Sequence, residues 1–174
     1  MNYQELLVDA SKQLKYYKFN SAKLDAELIL SKTLGLSREQ ILLNLNEKIN
    51  DEVLEKFNYF LKLRKQNRPI AYILGFKDFW KYKFQVDKNV LIPRPETEII
   101  IEQALKNLPK LSKKNILDIG TGSGCIIISI IKERENCKAT AIDKSLKALK
   151  VAKLNAEMHH VQKKIKFLNI DVDK

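Results

Sequence analysis

Leu117-Asp-Ile-Gly-Thr-Gly-Ser-Gly-Cys-Ile126 packs three glycines into five positions directly after an apolar run. Such backbone freedom belongs to a tight turn, and the pattern on either side fixes which turn it is. Asn115 to Ile119 reads as a short strand and Cys125 to Arg134 as an apolar helix. Lys138 to Ile142 then reads as a second strand, Ser145 to Met158 as a helix capped by Ser145, and Ile165 to Leu168 as a third strand. Strand and helix in strict alternation build a parallel sheet with right-handed crossovers. A glycine-rich turn after the first strand sits at the carboxyl end of that sheet, where open α/β folds take their ligands. The spacing narrows the ligand. A dinucleotide fingerprint needs a third glycine where Cys125 stands, and a phosphate-binding loop needs Gly-Lys followed by Ser or Thr, which is absent.

Upstream the period is helical. Tyr3, Leu6, Leu7, Ala10, Leu14 and Tyr17 share one face, as do Ala22, Ala26, Ile29, Leu30 and Thr33 between a Ser21 cap and a Gly35 stop. Ser37 and Gln40 have capping-box spacing. Asn50 or Asp51 opens a further helix with Val53, Phe57, Phe60, Leu61 and Arg64 on one side, ended by Pro69. These stripes have only each other to bury against, which predicts a small all-α domain over 1–74. The period then drops to two. Trp80, Tyr82, Phe84 and Val86 alternate with polar residues, Asp87-Lys88-Asn89 turns, and Val90-Leu91-Ile92 returns, so a β-hairpin linker is expected over 75–93. Pro93-Arg-Pro-Glu-Thr-Glu98 leads into a helix from Ile99 to Leu108, with Pro95 near its first turn and carboxylates where the helix dipole favours them. The α/β domain occupies 94–174.

The 174 residues are 45% hydrophobic and carry a formal net charge of +11. The lysines are spread over predicted polar faces without an arginine-rich block, so a solvated basic surface competes with a nucleic-acid partner. Cys125 and Cys137 have no metal-ligand spacing to each other or to His159 and His160, and they read as small buried hydrophobes. The histidine pair reads as a polar helix end. With no membrane span and no signal-peptide pattern at the start, a cytoplasmic protein is expected.

Asp118-Ile-Gly-Thr-Gly-Ser-Gly124 resembles the first motif of class I S-adenosylmethionine methyltransferases. The resemblance implies a Rossmann-like domain with S-adenosylmethionine as cofactor. It implies that Gly120, Thr121, Gly122, Ser123 and Gly124 back the methionine part, that Asp143 takes the ribose hydroxyls, and that Asp171 and Val172 border the adenine. Val172 stands where similar proteins usually have Trp; loss of that ring implies weaker adenine packing, by about 1 kcal/mol. Arg68-Pro-Ile-Ala-Tyr-Ile-Leu-Gly75, Phe79-Trp80 and Val90-Leu-Ile-Pro-Arg-Pro-Glu-Thr-Glu98 narrow the likeness to the PrmC/HemK family. Asp25-Ala-Glu-Leu28, Ala148-Leu149 and Asn155-Ala156 fit the same family.

Members of that family methylate the glutamine amide of the Gly-Gly-Gln motif in peptide chain release factors. The resemblance therefore implies a release factor as protein partner, gripped in part by the helical domain. It also places Arg94, Pro95, Glu96 and Thr97 beside the substrate cleft. Family members continue into a fourth strand ending in Asn-Pro-Pro-Tyr, which orients the amide, and the sequence stops at Lys174 before it. The expectations are therefore an N-terminal portion of a longer enzyme, an incomplete sheet with its first strand as an apolar edge, no catalytic residue in this chain, and no useful rate from it alone. Two alternatives stand beside this reading: an RNA or DNA amino-group methyltransferase, and a non-catalytic partner-binding remnant.

Overall fold

The computed structural model describes residues 1–172; Asp173 and Lys174, at the far end of the expected α/β domain, lie outside the described residues. The chain forms two compact units that meet between Leu74 and Gly75.

The first unit is helical. Helix α1 (Tyr3–Tyr16) opens on a capping box between Asn2 and Glu5 and buries Tyr3, Leu6, Leu7, Ala10 and Leu14. Tyr17, placed on the same face by its spacing, falls just after the helix and is exposed. Helix α2 (Ala22–Leu34) ends on Gly35 at a φ of 70°, a left-handed cap that costs glycine nothing. Ser21 occupies the N-cap position of α2 without making a capping bond. Helix α3 (Arg38–Leu43) has the Ser37–Gln40 capping box, and α4 (Asp51–Lys65) is capped by Asn50, which accepts from Val53 N–H. Pro69 does not simply end this region: a short helix, α5 (Ile70–Leu74), follows it directly. Leu14, Ile29, Leu30, Ile41, Phe57 and Leu61 form the centre of a core drawn from α1 to α4.

The second unit begins with an antiparallel hairpin of β1 (Phe76–Phe79) and β2 (Tyr82–Gln85). This corrects the expected pairing. The aromatic strand pairs with residues that precede it, and residues 87–92 form no strand. The reason is local. Trp80 adopts a φ of 56° and turns the chain in two residues, while Asp87 accepts from the Asn89 backbone N–H at 2.8 Å and curls residues 87–89 away from the ladder. A helical turn at Pro95–Thr97 then runs into α6 (Glu98–Asn107).

Strands β3 (Asn115–Ile119), β4 (Lys138–Asp143) and β5 (Ile165–Asn169) form a parallel sheet in that order, linked by α7 (Cys125–Glu133) and α8 (Leu146–Met158). Ile116, Ala139 and Ile165 share one register row, and their face packs beneath the isoleucines of α7 and Ala156 of α8. The row of Leu117 and Thr140 belongs to the opposite face, where Leu117 and Ile119 are exposed. Among the described residues β3 is an edge strand, as expected. No helix is long and apolar enough to cross a membrane among the described residues.

Candidate functional site

The loop between β3 and α7 is held at four successive points. The backbone N–H groups of Gly120 and Thr121 both donate to Ile142 O, at 2.9 and 3.0 Å. Gly122 N–H donates to Asp143 Oδ2 at 2.9 Å. The Ser123 carbonyl accepts from Asn155 Nδ2 at 2.8 Å. Gly124 closes the turn onto Thr121 O and starts α7 at a φ of 79°. A Cβ there would stand 2.9 Å from Ile128 Cδ1 and 3.3 Å from Ala152 Cβ, so glycine is required both by the backbone angle and by the close approach of α7 to α8.

Asp143 ends β4 and has two tasks. Its Oδ1 accepts from Ser145 N–H at 2.8 Å, next to the Ser145 cap of α8, and its Oδ2 holds Gly122. The carboxylate is thus oriented by two backbone donors with lone pairs left on both oxygens for a ligand. A cleft of about 290 Å³ opens beside it, lined by Ile119, Gly120, Ile142, Asp143, Lys144, Ile170, Asp171 and Val172. It lies at the carboxyl ends of all three parallel strands. Gly120, Asp143, Asp171 and Val172 are thereby brought together.

Thr121 and Ser123 are buried under the loop instead. Asp118 Oδ2 and Thr121 Oγ1 are buried polar atoms whose side chains interact with each other. Burial pushes the Asp118 carboxyl above its ordinary value, a hydrogen bond from Thr121 opposes the shift, and the charge on Asp143 adds to it. Two carboxylates, Asp118 and Asp143, beside one glycine loop form a place for a cationic hydrogen-bond donor. Cys125 is no nucleophile, because burial pushes its thiol up to about 11. Arg94, Pro95, Glu96 and Thr97 are not in the lining of the cleft; they form the turn ahead of α6. Next to them, Glu98 accepts from Trp80 N–H at 2.8 Å and fixes the hairpin turn.

Residues 5–75 match the family model described as the PrmC N-terminal domain, and residues 97–174 that of the methyltransferase small domain. A release factor glutamine methyltransferase from Chlorobaculum tepidum is 41% identical over 159 residues, which is 88% of this chain and 54% of that protein. One from Coxiella burnetii is 43% identical over 140 residues, 80% of this chain and 50% of that protein. A bifunctional methyltransferase from Rickettsia felis is 33% identical over 95% of this chain and 37% of its own length. The chain spans about half the length of the first two relatives.

Proposed function

Because this chain belongs to the PrmC/HemK family of release factor glutamine methyltransferases over the stretch that it spans, we propose that its second unit holds S-adenosylmethionine at the glycine loop. We propose further that the whole protein methylates the glutamine amide of a peptide chain release factor. S-adenosylmethionine supplies an electrophilic methyl group on a sulfonium. This chain's share of the work is binding and orientation. Asp143 would take the ribose hydroxyls with the lone pairs that Gly122 and Ser145 leave open, and Ile142, Ile170, Asp171 and Val172 would border the base. Gly120, Thr121 and Ser123 would supply the loop around the methionine part.

The observation that best supports this reading is the placing of two carboxylates at the glycine loop: Asp143 holds Gly122, and Asp118, buried beside Thr121, is close enough to feel the charge on Asp143. Two carboxylates within reach of each other's charge disfavour a further anion, so the folded loop retains a demand for a cationic donor. The ammonium group of an amino-acid moiety meets it, whereas a phosphate or pyrophosphate does not. Calorimetric titration of the 174-residue chain with S-adenosylmethionine and, separately, with ATP tests this. Saturable binding of the first and none of the second is expected, and equal binding of both overturns the reading.

A second reading has one observation in its favour. Lys138, Lys163, Lys164 and Lys166 surround a notch of about 290 Å³ near the amino ends of the strands, and no carboxylate lines it. That arrangement suits a nucleic-acid substrate. Binding to a release factor and to RNA, each followed across a salt titration, separates the two. A steep salt dependence with RNA alone would favour the nucleic acid, and saturable release factor binding at physiological salt favours the protein.

A further inference from the structure

Asn155 is completely buried on α8 and makes three hydrogen bonds to two different segments. Its Oδ1 accepts from Gln85 N–H at 2.7 Å, and its Nδ2 donates to Gln85 O at 3.0 Å and to Ser123 O at 2.8 Å. One carboxamide therefore caps the outer edge of the hairpin strand β2 and grips the glycine loop. One turn further on, at the C-cap of α8, His159 Nε2 lies 2.8 Å from Lys83 O on the same strand edge, while its ring centroid sits 4.9 Å from that of Phe84. Residues four apart on a helix rise about 6 Å, close to the span of about 6.7 Å between alternate residues of a strand. The match lets α8 complete the edge of β2 with side chains, as a third strand would with backbone.

The two capping residues differ in one respect. His159 hydrogen-bonds to the hairpin, whereas Asn155 hydrogen-bonds to the hairpin and to the loop. A buried polar side chain on a helix would be replaceable by an apolar one if it only filled space; here three backbone groups would lose their partner. We propose that Asn155 is a positioning residue, which fixes the Ser123 carbonyl against β2 and thereby sets the glycine loop in its ligand-binding shape. The hairpin is then a structural support of the cofactor site, tied to it through the Asn155 side chain. The inference rests on the reading of the loop as an S-adenosylmethionine site for its affinity readout, but not for its geometric one.

The test compares Asn155→Leu and Asn155→Ser with His159→Gln in the full 174-residue chain. The first two remove the grip on the loop, and the third disturbs the strand edge and leaves the loop alone. Four quantities are read: the Ser123 carbonyl ¹³C shift and the Gly122–Cys125 amide exchange in the free protein, the S-adenosylmethionine affinity, and the urea midpoint. Expected for both Asn155 variants are a shifted Ser123 carbonyl, loop exchange accelerated at least tenfold, and at least a tenfold loss of affinity. The His159 variant should keep all three loop properties even where its urea midpoint falls. If Asn155→Leu does not fold, Asn155→Ser carries the comparison at a temperature where it is folded. Unchanged loop exchange in the Asn155 variants, or equal loop changes in the His159 variant, overturns the proposal. Should the unaltered chain fail to bind S-adenosylmethionine, the cofactor reading falls, and the shift and exchange data still decide for or against Asn155.

Discussion

Arg64 and Asp25, far apart in sequence, meet at 2.7 Å between Nε and Oδ2, with the Asp25 side chain only 2% exposed. The guanidinium also lies over the Phe19 ring, 3.8 Å from its centroid, and donates through Nη1 to Arg68 O at 3.1 Å. This pair ties α2 to α4. Removing one partner leaves the other charge stranded, so Arg64→Met should destabilise the first unit by about 3–5 kcal/mol, and the double change Asp25→Leu with Arg64→Met by clearly less. Urea unfolding of the two variants checks this; equal losses would show that the ion pair is not what binds these helices.

Gly124→Ala places a methyl group 2.9 Å from Ile128 Cδ1 at a φ of 79°. The backbone angle costs about 1–2 kcal/mol and the overlap adds to it, so a loss of roughly 2 kcal/mol or more is expected. The thermal midpoint of the second unit is the measurement. The same change at Gly35, where an added Cβ would meet nothing within 4 Å, should cost only the backbone part.

Asp143→Asn converts one acceptor into a donor facing a backbone N–H, of Gly122 or of Ser145. A hydrogen bond to a charged group contributes about 1.5–3 kcal/mol, and this variant loses one. The expected result is a modest fall in stability with at least a tenfold loss of S-adenosylmethionine affinity, measured by calorimetry. An unchanged affinity would remove Asp143 from the ligand site.

Burial lowers the His159 imidazole below its ordinary value of 6.5, and the backbone hydrogen bond to Lys83 O opposes the shift only in part. The unfolded chain then binds the proton more readily than the folded one. Stability is full above 6.5, falls as pH drops below it, and levels off once the folded-state value is passed. Urea midpoints over a pH series should show this slope, and His159→Gln should flatten it.

Cys125 and Cys137 are both buried free thiols. With Cys125 pushed up to about 11, its thiolate is scarce at neutral pH. Iodoacetamide should label it only as fast as the second unit unfolds, a rate that intact mass analysis follows.

The strand and helix order of the α/β unit was legible because its periods are unmixed: β3 spans the expected residues, and β4 and β5 each run one residue further. The hairpin was half legible. Alternation identified the aromatic strand, but pairing depends on a turn at Trp80, a residue type that gives no turn signal, whereas Asp87-Lys88-Asn89 gives a strong one without a strand to return to. Asp25 and Glu27 are buried and paired with Arg64 and Arg38, although sequence alone marked them only as part of a family pattern. The available signal was a pair of carboxylates flanking Ala26 and set among the apolar residues of Leu24 to Leu30. His159, read as a polar helix end, caps a strand instead, and nothing local in the sequence announces a bond to a residue 76 positions away.

The chain has a single tryptophan, and its surroundings make it a built-in reporter. Trp80 Nε1 lies 3.2 Å from Glu133 Oε1 on α7, an oxygen that also accepts from Lys81 and Tyr82. Indole emission therefore tracks the second unit alone, while the helical unit, with five of the six tyrosines, stays dark under tryptophan-selective excitation. Emission set against far-ultraviolet circular dichroism in the same urea series would show whether the two units melt together or one after the other.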